Sequence, residues 1–461
     1  MGLIIARGLS RIWRLGGLVA LLVSLSACWP MSYTEYRPVY QDMAVFRVAG
    51  SIQALAWTEA PKGEIFGKIG LSADREFLFV NERNHGIRVA YIGNPANPAW
   101  IGFIEIPGNT DLVALELDGR QFLYVDSFID LVVLELTLPP DGVGQLAAVE
   151  RHRIERAFPQ NQFQIDQPEQ VWPYWTATDG DGPDQIVVGY TSQEKFSMVP
   201  LGIMVDPVMD IGNQAGAVGS MARFALYSPP LSAGADWYLY TVDSSTLRGF
   251  TIEALDATDL GQPVVAFQTS IGWQIETIFP YADQLFIGSE SAMYIYGLSG
   301  GAASPTSPGQ LSTLVHFTAR DPVVVGPVGA GALDTAFVTL RAEAGWGENL
   351  LLAIDVSDPA LPVELTRRLM YNPHGLSLYD VDTLFVCEGT GGIKEITVSQ
   401  VRDVEADLEV RLGSRSLVDD FETYDIIPGP VVQIAVGPSE VRLYSYDADT
   451  PQLVELGRLA F

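Results

Sequence analysis

Acidic residues recur at one position of a repeated sequence pattern. Each copy is a short β-rich run that ends in an acid, then a turn, then a second β-rich run. The acids at the ends of the first runs are Glu82, Asp126, Asp243, Glu290 and Glu388. Carboxylate oxygens suit hard divalent cations and cationic ligands, so a ring of these acids would form a candidate binding face. The alternative is that each acid accepts hydrogen bonds from the backbone of its own turn.

A second acidic cluster alternates with glycine. Asp179, Asp181 and Asp184 lie in the sequence Asp-Gly-Asp-Gly-Pro-Asp, which resembles the start of a calcium loop. However, Pro183 occupies the fifth place and Tyr190 the twelfth, where an EF-hand loop needs a bidentate glutamate. Calcium is therefore a candidate ion here, and an acidic turn is the alternative interpretation. We expect no other metal and no cofactor.

His374 is the best single candidate for a ligand contact among the four histidines, because it opens one copy of the repeat. The alternative is a structural role, with its imidazole bonded to a neighbouring turn. The sequence contains no Walker loop, Rossmann fingerprint or metal-binding histidine spacing. We therefore expect no catalytic residues.

The spacing of the repeat predicts the fold. The second β-rich runs begin near Ile87, Leu131, Leu247, Met293, Leu351, Ile393 and Val441. Apart from one interval of 116 residues, these starts are 42 to 58 residues apart, close to the length of a four-stranded propeller blade. The sequence therefore predicts an all-β protein, a β-propeller with seven four-stranded blades, and eight blades as the alternative.

The long interval predicts an insertion after the second blade, near residues 156–218, with one clear strand at Gln185–Tyr190. A degenerate extra blade is the alternative. The predicted domains are a signal peptide at 1–27, a lipid anchor and tether at 28–60, and the propeller at 61–461.

The N-terminus has the features of a lipoprotein leader. Three arginines precede an apolar stretch, Leu15–Leu25, which is too short to cross a bilayer. The following Leu25-Ser26-Ala27-Cys28 resembles a bacterial lipobox, which predicts cleavage before Cys28, lipidation of that cysteine and anchoring to a membrane. Trp29 favours the outer membrane, with the propeller facing the periplasm or the cell exterior. An ordinary signal peptide is the alternative.

The net charge narrows the classes of partner, and the cysteine content bears on disulfides. The formal net charge is −29, which disfavours nucleic acid as a partner. Cys28 and Cys387 are the only cysteines. Because Cys28 is assigned to the anchor, we expect no disulfide, and the apolar run around Cys387 predicts a buried strand thiol.

Several segments resemble the LVIVD-repeat proteins of the bacterial envelope, in their lipoprotein branch. The clearest are Asp130–Leu136 and the turn Gly93–Pro98, followed in order by short motifs such as Asp321–Val324, Asn372–Leu376 and Tyr424–Pro428. The resemblance covers nearly all of residues 67–461 and implies an envelope β-propeller with no established catalytic activity. Relatives often carry a cysteine where this chain has Arg320, so a disulfide found in such relatives is not expected here.

These observations together favour a binding function. We expect a membrane-anchored, non-catalytic module that binds an envelope protein or glycan. One alternative is a structural subunit of an envelope assembly. The other is a propeller hydrolase or lyase that uses His374 and the recurring carboxylates.

Overall fold

The computed structural model describes residues 28–59, 66–158, 184–200, 223–228, 237–253, 259–289, 292–298, 309–315, 323–328, 333–341, 348–402 and 408–461. The predicted signal peptide at 1–27 lies outside these ranges. The chain divides into two compact units, residues 1–43 with 165–217 and residues 44–164 with 218–461. Within the described ranges, no helix has the length and apolar character needed to span a membrane.

Nearly all regular structure in the described residues is β-strand. Three short 3-10 helices accompany the strands, at Met43–Val45, Trp57–Glu59 and Pro140–Gly142. The first strands are β1 (Cys28–Asp42), β2 (Gln53–Ala56), β3 (Phe66–Leu71), β4 (Phe77–Glu82), β5 (Gly86–Tyr91), β6 (Ala99–Glu105), β7 (Leu112–Leu117), β8 (Arg120–Ser127), β9 (Asp130–Thr137), β10 (Ala147–Ile154), β11 (Gln185–Pro200), β12 (Phe224–Tyr227), β13 (Trp237–Ile252), β14 (Pro263–Tyr281) and β15 (Gln284–Ser289). The others are β16 (Ala292–Gly297), β17 (Gly309–Val315), β18 (Val323–Val328), β19 (Leu333–Leu340), β20 (Leu350–Asp355), β21 (Val363–Leu369), β22 (Leu376–Leu378), β23 (Thr383–Cys387), β24 (Ile393–Arg402), β25 (Leu408–Leu412), β26 (Arg415–Val418), β27 (Asp425–Ile427), β28 (Gln433–Val436), β29 (Glu440–Asp447) and β30 (Gln452–Ala460).

The first unit contains a two-stranded antiparallel ribbon made by β1 and β11. Cys28 pairs with Pro200 at one end, and Asp42 pairs with Gln185 at the other. The stretch interpreted as a tether is therefore a paired strand over Cys28–Asp42. The strand predicted at Gln185–Tyr190 forms, and it continues to Pro200. The lipid anchor and the predicted domain boundaries remain predictions.

The second unit is a β-propeller of seven four-stranded antiparallel blades, which confirms the predicted fold and blade number. Blade 1 is β3–β6, blade 2 is β7–β10, blade 5 is β18–β21 and blade 7 is β27–β30. Blade 6 is β22–β24 with β26, and β25 pairs with the far half of β24. Blade 3 comprises β12, the two arms of β13 and the first arm of β14, and blade 4 comprises the second arm of β14 with β15–β17.

Both faces of a blade are apolar, because each blade packs between two neighbours. In β4 every residue is buried. Phe77 and Phe79 pack against blade 2, while the alternate residues Leu78 and Val80 pack against blade 7. The period of two along a strand therefore assigns successive side chains to different neighbours. Full burial of one such side chain stabilises the folded state by about 1.5–3 kcal/mol relative to leaving it in water.

Among the described residues the core accordingly divides into seven apolar clusters, one between each pair of adjacent blades. The last cluster closes the ring between blades 7 and 1, where Leu443 packs with Leu78. Two hydrogen bonds cross the same junction: Trp100 Nε1 donates to the Ala460 carbonyl at 2.7 Å, and Arg75 Nη2 donates to the Pro428 carbonyl at 3.0 Å. Each of these two blades takes its four strands from one continuous stretch of chain, so neither blade is completed by a strand from the other end of the propeller. The ring is therefore closed by side-chain packing and these two hydrogen bonds.

The segment before blade 1, residues 44–59, binds the propeller surface. Arg47 makes two hydrogen bonds of 2.8 Å to the buried carboxylate of Asp130 in blade 2. β2 then adds a fifth strand to the outer edge of blade 1 by pairing with β6. Residues that precede the predicted propeller boundary at 61 thus contact blades 1 and 2 directly.

Ring closure by packing predicts that the junction of blades 7 and 1 is as costly to disrupt as any other. Leu443→Ala at that junction and Leu134→Ala between blades 1 and 2 both truncate fully buried leucines. Each should lower the free energy of unfolding by about 2–5 kcal/mol in denaturant titrations. A loss below about 1 kcal/mol for Leu443→Ala alone would contradict closure by this cluster.

Candidate functional site

One end of the propeller collects most of the residues singled out by the sequence. The strands of a blade alternate in direction, so the start of the innermost strand lies beside the end of the second strand. In blade 1, for example, Phe66 at the start of β3 pairs with Glu82 at the end of β4. We name this end of the propeller the top end. It holds the turns between second and third strands and the connections that enter each blade.

The recurring acids occupy equivalent positions at the top end. Glu82, Asp126 and Asp243 are fully buried and Glu388 is 3 % exposed, while Glu290 lies outside the described residues. A buried carboxylate needs hydrogen bonds or an opposite charge, and each of these four has such partners. Whether the top end is a binding face remains a prediction.

Glu82 forms a buried ion pair with Arg88. Arg88 Nε lies 2.6 Å from Glu82 Oε2, and the two side chains are at most 2 % exposed. The guanidinium also lies over the rings of Trp57 and Phe461, at 5.1 and 5.2 Å from their centroids. The pair therefore links the first blade to the residues on both sides of the ring closure.

Asp126 holds the connection that enters its own blade. Its Oδ1 accepts hydrogen bonds from the backbone N–H groups of Thr110 (2.8 Å) and Asp111 (3.0 Å) and from the side-chain amide of Asn109 (3.0 Å). Its Oδ2 accepts a bond from Arg223 Nη2 at 2.9 Å. The backbone donors thus come from the connection into the blade, whereas the sequence interpretation placed them in the acid's own turn.

Asp111 joins three blades at the inner edge of the top end. Its Oδ2 accepts the backbone N–H groups of Arg223 (2.6 Å) and Phe224 (3.0 Å), and its Oδ1 lies 3.5 Å from Lys68 Nζ. Lys68 Nζ also donates to the Phe224 carbonyl at 2.7 Å. Burial raises the pKa of Asp111, although the charges of Lys68 and Arg223 act in the opposite direction.

Glu388 repeats the arrangement in blade 6. Its Oε1 accepts the backbone N–H of Tyr371 at 2.7 Å, again from the connection into the blade, and its Oε2 lies 3.9 Å from Lys394 Nζ. Tyr371 itself is 66 % exposed. In blade 3 the corresponding Asp243 pairs with Arg248, with 3.6 Å between Oδ2 and Nη1.

His374 lies at the top end in the connection into blade 6 and is 5 % exposed. Its Nδ1 is 2.5 Å from Nη1 of Arg341. A guanidinium can only donate, so Nδ1 is the acceptor and the ring proton resides on Nε2. The ring also meets Tyr424 edge-on at 5.0 Å. These contacts favour the structural interpretation of His374, and its role in ligand binding remains a prediction.

A cavity of about 200 Å³ occupies the centre of the ring. Its wall includes the first residues of several innermost strands, which places it at the top end of the channel. Apolar side chains such as Ile278, Val324 and Ile427 line it, together with the charged Lys68 and Asp425. A concave, mostly apolar space with a few polar groups is the usual form of a binding pocket.

The predicted calcium loop is not described as a whole. Asp179 and Asp181 lie outside the described residues, while Asp184 precedes β11 and accepts a backbone hydrogen bond from Met43 N at 2.9 Å. Among the residues that the structure describes, no group of three or more histidine, cysteine or acidic side chains could hold a metal ion. Calcium binding remains a prediction.

The sequence interpretation identified the acids and missed their basic partners. Arg88 pairs across the sheet with Val80, which lies two residues before Glu82. In the same way Lys394 pairs with Val386, which lies two residues before Glu388. Such diagonal neighbours on one face of a sheet are close enough for long side chains to meet. A base six residues after Glu82 and after Glu388 was therefore a usable signal. Arg223 gave none, because it is 97 residues from Asp126.

Comparison with known proteins adds little to this geometry. No family model matches the chain, so the LVIVD resemblance remains a prediction, and no curated protein matches it. A solved structure of a Lactobacillus plantarum protein is 12 % identical, with 88 % of this chain and 95 % of that chain covered and a TM-score of 0.48. Hsv2 of Kluyveromyces lactis is 10 % identical (86 % and 98 % covered, TM-score 0.41). BamB of Moraxella catarrhalis is 9 % identical (81 % and 83 % covered, TM-score 0.39).

The bonds to Asp126 predict a large structural role for its charge. Asp126→Asn keeps the size of the side chain but replaces one carboxylate oxygen with an NH₂ group, which cannot accept a hydrogen bond. It also removes the negative charge that lies beside Arg223. The variant should lose about 2–4 kcal/mol of unfolding free energy in denaturant titrations. Asp118→Asn, at an exposed turn of the same blade, should change it by less than about 0.5 kcal/mol. Equal effects of the two substitutions would contradict the role assigned to Asp126.

Proposed function

We propose that this chain is a lipid-anchored β-propeller of the bacterial cell envelope that binds a protein or glycan through its top end. The observation that carries the proposal is the cavity at that end, whose apolar wall includes one cation, Lys68, and one anion, Asp425. A volume of about 200 Å³ suits one large side chain or one sugar ring of a bigger partner.

The surroundings of the cavity support recognition of a ligand more than chemical turnover. The carboxylates of Asp126 and Glu388 already accept bonds from the backbone of the blade connections. These bonds fix the loops around the channel mouth, and fixed loops lower the entropic cost of binding a partner. In this proposal the recurring acids build the binding face, while exposed groups such as Tyr371 contact the partner.

The lipid anchor and the envelope location belong to the same proposal, and they rest on the lipobox-like sequence that ends at Cys28. A propeller held at a membrane by its N-terminus would meet envelope partners at high local concentration. Membership of the LVIVD-repeat lipoproteins is likewise part of the proposal, and it rests on the ordered motifs of residues 67–461.

The test compares the two ends of one blade. Tyr371 follows β21 at the top end, whereas Leu361 precedes the same strand at the opposite end, and the two are 66 % and 70 % exposed. The tagged, lipidated protein and its Tyr371→Ala and Leu361→Ala variants would be used to capture partners from the native envelope in mild detergent. Mass spectrometry and glycan analysis would identify what is bound.

We expect Tyr371→Ala to reduce capture of the main partner about tenfold, as an exposed aromatic contact residue would. Leu361→Ala should leave capture within about twofold of the unchanged protein. Loss of the partner with Leu361→Ala alone, or capture of nothing by any of the three, would contradict binding through the top end.

A further inference from the structure

A stretch of chain before blade 1, residues 44–50, meets the propeller through two of its side chains. Phe46 and Arg47 are partly buried, whereas the other five residues of this stretch are exposed. Even the apolar Val45 and Val48, on either side of that pair, are 49 % and 58 % exposed. Segments with so few buried contacts open locally at a free energy well below that of global unfolding. The attachment of this stretch therefore depends on the contacts of Phe46 and Arg47.

The surface that receives these two side chains lies at the top end of blade 2, and we name it the Asp130 site. It consists of Phe128 in the turn between β8 and β9, Asp130 at the start of β9, and Glu155 just after β10. Arg47 donates from Nε and Nη2 to the two oxygens of Asp130, at 2.8 Å each, and its Nη1 lies 3.3 Å from Glu155 Oε2. The ring centroids of Phe46 and Phe128 are 4.8 Å apart. Each side chain of the pair thus has its own contact in the site.

The paired bonds to Asp130 select a guanidinium. The planar fork of arginine presents two N–H groups that match the two oxygens of a carboxylate, whereas the compact ammonium of lysine has no such fork. Burial raises the pKa of Asp130, but the hydrogen bonds from Arg47, from the backbone N–H of Arg156 and from Arg153 hold that pKa below its usual value. The carboxylate is therefore ionised at neutral pH, as recognition of a cation requires.

The rest of the site is held by contacts that do not involve Arg47. Asp130 also accepts hydrogen bonds from Arg153 Nη1 at 3.0 Å and from the backbone N–H of Arg156 at 2.9 Å. Phe128, the aromatic part of the site, is 4 % exposed. A buried carboxylate is stable only with such donors or charges beside it, and Asp130 retains both of these without Arg47. The site is therefore preformed for another guanidinium.

We propose that the Asp130 site binds an arginine that follows an aromatic residue in a protein partner, and that the chain's own Phe46 and Arg47 occupy the site until the partner displaces them. The inference deepens the proposed function and rests on it for the existence of a protein partner. It places a contact with that partner on blade 2, whereas the lining of the central cavity includes no residue of blade 2.

Competition with the chain's own segment sets the affinity that a partner experiences. The apparent affinity is lowered in proportion to the fraction of molecules in which the site is open. A substitution that weakens the internal occupant raises this fraction. Such a variant should therefore bind an external ligand of the same chemistry more tightly than the unchanged chain.

The experiment measures, by fluorescence anisotropy, the binding of a labelled peptide with the sequence of residues 44–50 to the full-length protein in mild detergent. Two variants of the protein, Arg47→Ala and Phe46→Ala, weaken the internal occupant. The control variant is Arg367→Ala, which removes an arginine paired with Glu364 on β21 of blade 5. A second peptide carries Arg47→Lys and so keeps the charge without the planar fork.

We expect Arg47→Ala to bind the arginine peptide at least about tenfold more tightly than the unchanged chain, and Phe46→Ala to shift the affinity in the same direction. Arg367→Ala should stay within about twofold of the unchanged chain. The lysine peptide should bind the Arg47→Ala protein at least about tenfold more weakly than the arginine peptide.

Equal affinities of the unchanged chain and both opened variants for the arginine peptide would overturn the inference. So would equal binding of the two peptides, or no binding of the arginine peptide by either opened variant. Thermal unfolding identifies a variant that fails to fold, in which case the other opened variant decides.

The capture experiment with native envelope separates this inference from the proposed function. A protein captured through the top end, together with opened variants that ignore the arginine peptide, would uphold the proposed function and refute the Asp130 site. Specific binding of the arginine peptide by the opened variants of a protein that captures no partner would do the reverse.

Discussion

The structure depends on one constraint: each blade is apolar on both faces and is stable only between two neighbours. In β4 the alternate side chains Phe79 and Val80 pack against different blades, so neither face can be left to solvent. A linear stack of such blades would expose apolar surface at both ends. Closing the ring removes those ends, and here the packing of Leu443 and its neighbours against blade 1 closes it.

The same constraint explains why polar chemistry gathers at the top end. Between the blades there is little room for an unpaired polar group, whereas the turns and connections contain N–H groups that need acceptors. The buried carboxylates of Asp126 and Glu388 supply them, and basic side chains balance their charge. In the proposed function, this rigid framework around a central cavity serves to bind a partner.

Much of the fold could be predicted from sequence because blade periodicity is local. Residue spacing predicted seven blades, and the described strand of the 156–218 region joins the ribbon, not an eighth blade. The acids were found because they end strands. Their partners were predictable only when local: Arg88 follows Glu82 by six residues, whereas Arg223 reaches Asp126 through the packing of two blades. The pairing of β1 with β11 was missed because it joins segments more than 140 residues apart.

The most direct test of the central claim is site-specific photo-cross-linking in intact cells. A photoreactive residue would replace either Thr390, in the exposed second turn of blade 6 at the top end, or Asp358, in the exposed turn of blade 5 at the opposite end. The account predicts a defined adduct with an envelope protein or glycan from position 390 and none from position 358. An adduct from position 358 alone would show that the partner binds the other end and would contradict the account.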